Sequence, residues 1–147
     1  MKVVIQRVKA AHVSVNGGIC GSIDRGLLVF FAVHRDDDIN NIEWMAEKII
    51  NLRIFPDDND KMNLSLRDII GEILVVSQFT LYGTCNKGRR PEFTRSAPPE
   101  KAEKIYNEFV EAISKKMGKK VATGRFRANM EVHLINDGPI TLELEKL

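Results

Sequence analysis

LLVFFAV, residues 27–33, is seven apolar residues without a polar break. A half-buried strand alternates polar and apolar residues, whereas a continuous β-branched and aromatic run of this length predicts a strand buried on both faces. Such a strand needs packed layers on each side, which places the chain in the α/β class. Working outward toward the N-terminus, Val3 and Ile5 alternate with polar neighbours, and His12-Val13-Ser14-Val15 continues the strand pattern. Asn16-Gly17 then supplies two residues that tolerate positive φ, the strongest short hairpin signal, and Gly18 to Ile23 pairs back.

Toward the C-terminus, Asp38 is placed to cap a helix whose Ile39, Ile42, Met45, Ala46, Ile49 and Ile50 share one face. It ends before Phe55-Pro56, and Asp57-Asp58-Asn59-Asp60 reads as a turn, lacking the glycine and distal glutamate of a calcium loop. A second apolar run, Ile73-Leu74-Val75-Val76, predicts another buried strand that leads straight into Ser77-Gln78-Phe79-Thr80. Pro98-Pro99 opens a second helix, with Ala102, Ile105, Tyr106, Phe109, Val110, Ile113 and Met117 as its core stripe and Gly118 as its stop. Two terminal strands follow, Glu131–Ile135 and Ile140–Leu144, with Asn136-Asp137-Gly138-Pro139 read as a turn between them. The element order predicts sheet layers on one side and two helices covering a face.

The chain of 147 residues suits one domain spanning 1–147, and 44% hydrophobic with 29% charged residues is ordinary for a globular fold. A net charge of +2 argues against a protein that coats polyanions along its whole surface. Positive residues nevertheless cluster at Lys87, Arg89, Arg90 and Arg95, and again from Lys115-Lys116 through Lys119-Lys120 to Arg125 and Arg127, where they are either phosphate contacts or solvated surface. No apolar stretch is long enough to span a bilayer, and MKVVIQRVKA reads as a strand, not a signal peptide, so the expected location is cytoplasmic. Cys20 and Cys85 have no metal or redox spacing and read as free thiols.

Familiar catalytic patterns are missing. His12, His34 and His133 are isolated, no spacing offers a metal site, Ser77 lies outside a nucleophile elbow, and no glycine-rich phosphate loop or cofactor motif occurs. Two stretches still stand out. Ser77-Gln78-Phe79-Thr80 gathers hydroxyl, amide and backbone N–H groups at a strand end, where they are able to hold a carbonyl or oxyanion. In Asn136-Asp137-Gly138-Pro139, the Gly-Pro bond is a candidate for the cis isomer.

Taken together, SQFTL at 77–81, NDGP at 136–139, QRV at 6–8, KMN at 61–63 and TGRF at 123–126 closely resemble the D-aminoacyl-tRNA deacylases, in order and along essentially the whole chain. The resemblance implies a three-layer α/β/β domain with mixed and antiparallel sheets and two main helices. It also implies a cytoplasmic homodimer without a cofactor or metal. Its substrate would be the 3′ acceptor end of aminoacyl-tRNA, where it would hydrolyse the ester of a D-amino acid, or of glycine mischarged on tRNA-Ala. Ser77, Gln78, Phe79 and Thr80 would form the floor of the site. Gly138-Pro139, a Gly-cis-Pro pair in the family, would enter the partner subunit's site and turn away L side chains, with Arg7 bracing it. Lys87, Arg89 and Arg90 would meet tRNA phosphates, with Lys119, Lys120 and Arg125 as further candidates, and Met130 would lie near the terminal adenine. Thr80 has no base beside it in the sequence, so the expected mechanism is hydrolysis assisted by the substrate's own 2′-hydroxyl. A non-enzymatic nucleic-acid-binding module and a metal-dependent hydrolase are the rival readings.

Overall fold

The computed structural model describes residues 1–147 and contains eight strands and two α-helices. The buried run is strand β3 (Gly26–Ala32), and it is central: β1 (Lys2–Val15) pairs with it antiparallel on one side and β6 (Glu72–Ser77) parallel on the other. The hairpin forms as its sequence predicts, with Asn16 and Gly17 at φ 51° and 79° joining β1 to β2 (Gly18–Ile23). Both β2 and β3 run antiparallel to β1, one along its C-terminal half and the other along its N-terminal half. The short β7 (Ala122–Thr123) adds to β6 in parallel, and β8 (Glu131–Glu145) lines the remaining edge of β1. β4 (Phe55–Pro56) and β5 (Met62–Leu64) form a separate two-stranded ribbon.

The sheet curls until it is nearly a closed barrel. One face carries the larger core, in which Met1, Val3, Ile5, Leu27, Val29 and Phe31 pack against helices α1 (Ile42–Ile50) and α2 (Pro99–Met117). The inside of the curl holds a second core of Val8, Ala11, Val13, Ile23, Leu28, Leu74 and Val76. β1 contributes to both because its register against β8 shifts between Val8 and Ala10. That one-residue irregularity reverses the side-chain alternation, so odd-numbered Val3 and Ile5 face the helices while odd-numbered Ala11 and Val13 face inward.

Both helices lie where their apolar periodicity places them, except that Ile39, expected on the buried face of the first, precedes the α-helix and is exposed. The first opens with a 3-10 turn, Ile39–Asn41, capped by Asp38, whose carboxylate accepts the Asn40 N–H at 2.8 Å. The neighbouring acids of Asp36-Asp37-Asp38 are structural in part as well: Asp37 is buried and accepts the His34 N–H at 2.7 Å. The second helix begins at Pro99 and stops at Gly118, which has φ 68°. His12 and His133 are cross-strand partners whose rings stack at 4.4 Å, and both cysteines are free and exposed. Neither helix is long and apolar enough to cross a membrane.

The C-terminal segment departs from its expected form. Glu131–Glu145 is one strand of 15 residues, not two strands separated by a turn. Gln6 pairs with Thr141 and Val8 with Asn136, so Asp137 to Ile140 stand opposite the single residue Arg7. Asn136-Asp137-Gly138-Pro139 thus begins a bulge in a continuous ladder. Turn-forming residues favour a reversal, but pairing along the whole length of β1 outweighs that local preference and pushes the surplus residues out of the sheet.

Candidate active site

β6 delivers Ser77 to the carboxyl end of the parallel pair β3–β6, the place where open α/β sheets usually bind ligands. The ladder closes with the Gln78 N–H donating to the Phe31 carbonyl at 2.8 Å. From there the chain turns into a 3-10 segment, Phe79–Tyr82. As its first residues, Phe79 and Thr80 present backbone N–H groups for which the turn itself offers no partner. Two contacts fix this turn. Ser96 Oγ donates to the Phe79 carbonyl at 3.0 Å, and the Tyr82 ring is buried with the Lys2 and Arg95 cations each 5.5 Å from its centre.

A cavity of about 640 Å³ opens beside this turn, within the usual range for small-molecule sites. Ser77, Gln78 and Phe79 form one wall, the start of α2 with Ala102 and Tyr106 another, and the segment Phe126 to Met130 a third. The Phe79 side chain is 56% exposed and meets Phe93 edge-on at 5.1 Å. Tyr106 packs against Phe126 at 5.8 Å and donates its hydroxyl to the Val75 carbonyl at 2.9 Å. Burial holds that phenol well above its ordinary pKa, so it is a fixed hydrogen-bond donor and not a base near neutrality. Met130 reaches the cavity because residue 124 is glycine: a Cβ there would come within 2.7 Å of the Met130 sulfur.

Thr80 is exposed and outside the cavity lining, and its hydroxyl is held by the Gln78 side-chain amide. No histidine or carboxylate is hydrogen-bonded to it. Lys87, Arg89 and Arg90 occupy an exposed loop closed by the Thr84–Glu92 bridge, whose two backbone bonds are 2.9 and 3.0 Å long. They do not line the cavity, although Phe93, just beyond the loop, does. Lys119, Lys120 and Arg125 are likewise exposed and outside it.

Gly138 and Pro139 lie elsewhere, joined by a cis peptide bond. Beneath their bulge, Arg7 is only 8% exposed. It donates Nε–H to the Asp137 carbonyl at 2.9 Å and an Nη1 hydrogen to the Ile54 carbonyl at 2.6 Å. Asn136 Oδ1 accepts the Ile140 N–H at 2.8 Å and completes the frame. Arg7 pairs with Leu27, four residues before Phe31 on β3, which is about 13 Å along the strand from the cavity end. Neither Gly138 nor Pro139 lines the cavity of its own chain.

The family model for D-Tyr-tRNA(Tyr) deacylase matches residues 4–145. The chain belongs to that family. A D-aminoacyl-tRNA deacylase of Thermosipho africanus is 59% identical over 145 residues, covering 99% of this chain and 97% of the relative. One of Thermotoga petrophila is 55% identical with the same coverage. Among solved structures, one described as c-Myc DNA unwinding element binding protein superposes with a TM-score of 0.93 at 43% identity, covering 100% of this chain and 99% of the other. A probable eukaryotic D-amino acid tRNA deacylase shares the fold with a TM-score of 0.85 at 19% identity over 97% of both chains.

Several cavity residues carried no signal of their own in the sequence. Tyr106 is indistinguishable from its neighbours in a helical core stripe, Val132 is one more residue of an expected strand, and Phe93 and Ala128 belong to no recognisable pattern. Only the fold brings these segments to one place.

Proposed function

We propose that the protein hydrolyses the ester between a D-amino acid, or glycine mischarged on tRNA-Ala, and the terminal adenosine of tRNA. The observation that carries the reading is the family match along nearly the whole chain, together with the placement of Ser77, Gln78 and Phe79 against the cavity at the end of β6. The cavity suits one nucleoside with its aminoacyl group better than a duplex. That favours an esterase over a purely nucleic-acid-binding module.

In this reading the aminoacyl end lies on the Ser77–Phe79 floor, and the N–H groups of Phe79 and Thr80 stabilise the oxyanion that develops as water adds to the ester carbonyl. Collapse of the tetrahedral intermediate breaks the bond to the ribose 3′-oxygen, which takes up a proton to leave free tRNA. The 2′-hydroxyl of the same ribose orients and activates the water, since no side chain near the floor is built as a base. Gln78 holds the Thr80 side chain through its hydroxyl, and that hydroxyl does not attack the ester. Met130 packs near the adenine, while Lys87, Arg89 and Arg90 meet phosphates farther along the acceptor strand.

Chiral rejection is assigned to the backbone carbonyls of Gly138-Pro139, which leave room for hydrogen or a D side chain but not for an L side chain. Because this pair does not line its own chain's cavity, the selector belongs to the partner of a homodimer. β8 supports such a partner: it pairs only with β1, leaves its other edge open, and exposes Ile135 and Leu142.

A substrate ending in 2′-deoxyadenosine tests the mechanism. Its hydrolysis rate falls at least about 100-fold, the usual lower contribution of a positioned acid-base group, whereas Thr80→Ala stays within about tenfold of the parent on the normal substrate. Equal rates on the two substrates, or complete loss in folded Thr80→Ala, would reinstate a protein nucleophile.

A further inference from the structure

Arg127 is the only charged residue among the 18 that line the cavity. It is exposed and makes no ion pair or side-chain hydrogen bond within the chain. Its backbone is also unusual. The Ala128 N–H donates to the Arg125 carbonyl at 3.2 Å, closing a turn whose third residue, Arg127, has φ 60°. Glycine or asparagine is favoured in that conformation, and an L side chain there costs about 1 kcal/mol. An arginine with no internal partner, held in a costly conformation at the mouth of an otherwise uncharged cavity, points to an anionic ligand.

Resting on the proposed reaction, the chemistry of the substrate narrows that anion. The amino acid's carboxyl group is esterified and carries no charge, its α-amino group is a cation, and adenine and ribose are neutral. The only anions at this end of the molecule are the phosphodiesters that lead back into the acceptor strand. We infer that Arg127 is a substrate-positioning residue that holds the phosphodiester joining the terminal adenosine to the preceding nucleotide. Holding that phosphodiester sets the nucleotide end at the Arg127 side and leaves the amino acid to the Ser77–Phe79 floor. This assignment is distinct from the Lys87–Arg90 loop, which lies outside the cavity.

Two variants and two substrates test it. Arg127→Gly removes the guanidinium while suiting the positive φ, so its thermal midpoint is no lower than the parent's; Arg127→Lys keeps the charge without the fork of donors. On D-tyrosyl-tRNA, Arg127→Gly raises KM about tenfold or more, the scale of one charge-assisted hydrogen bond, and Arg127→Lys recovers part of the loss. Its kcat stays within about twofold, and the salt dependence of log KM becomes shallower by about 0.7, the value for one contact to a single strand. On the D-tyrosyl ester of adenosine, which has no phosphate, the parent and Arg127→Gly perform equally. An unchanged KM on tRNA, or an equal loss on both substrates, overturns the inference while leaving the deacylase reading intact. A parent protein that cleaves neither substrate overturns both.

Discussion

Gly138→Ala lowers kcat/KM for D-tyrosyl-tRNA by at least about 100-fold and destabilises the fold by about 2 kcal/mol, the range for a residue forced into a disfavoured backbone conformation. Gly138 has φ 133°, and a Cβ there would approach Ile140 Cγ1 to 2.9 Å and Arg7 Nη2 to 3.0 Å. The methyl group therefore acts twice, through a conformation that L residues rarely adopt and through contact with the arginine under the bulge. Steady-state kinetics and urea denaturation separate the two consequences. Mixing subunits locates the selector: a dimer of one Gly138→Ala chain and one chain whose cavity is filled by Ala128→Trp retains one working site if Gly138-Pro139 acts across the interface. If it acts within its own chain, that heterodimer is inactive.

Arg7→Ala has the second large effect, a loss of about 3 kcal/mol in stability together with most of the activity. The guanidinium satisfies the Asp137 and Ile54 carbonyls and lies 3.5 Å from the Asp137 carboxylate, so its removal leaves a buried gap and unpaired acceptors on two separate segments. Arg7→Lys restores the charge, but a point donor cannot serve both carbonyls in the fork geometry. The lysine variant is folded and intermediate in stability, with kcat/KM still reduced about tenfold or more because the bulge is no longer held. Urea midpoints and kinetics on the two variants check this; an alanine variant as stable and active as the parent would mean that Arg7 does not support the bulge.

Much of the fold can be read locally. Asn16-Gly17, the uninterrupted Leu27–Val33 run and the two apolar helical stripes each specify an element through interactions among near neighbours in sequence. β8 could not be read this way. Its pairing with β1 joins residues 117 (Ser14 and Glu131) to 143 (Lys2 and Glu145) positions apart, and the Asn136–Pro139 composition that marks a turn is equally suited to a bulge. The candidate site divides along the same line. Ser77 to Phe79 stand out because polar groups interrupt a buried run, whereas Tyr106, Phe126 and Arg127 reach the cavity from segments whose own patterns say only helix core or basic loop. Arg127 lay inside a charge cluster, and its positive φ, the feature that separates it from ordinary surface charge, exists only in the folded chain.

Chiral ester hydrolysis is tested by side-by-side incubation of the purified protein with D-tyrosyl-tRNA and L-tyrosyl-tRNA, with and without prior chelator treatment. Rapid loss of the D ester alone, unaffected by the chelator, is the result expected of a metal-independent editor with a backbone selector. Equal hydrolysis of both esters, or hydrolysis of neither while tRNA or DNA is still bound, would contradict it.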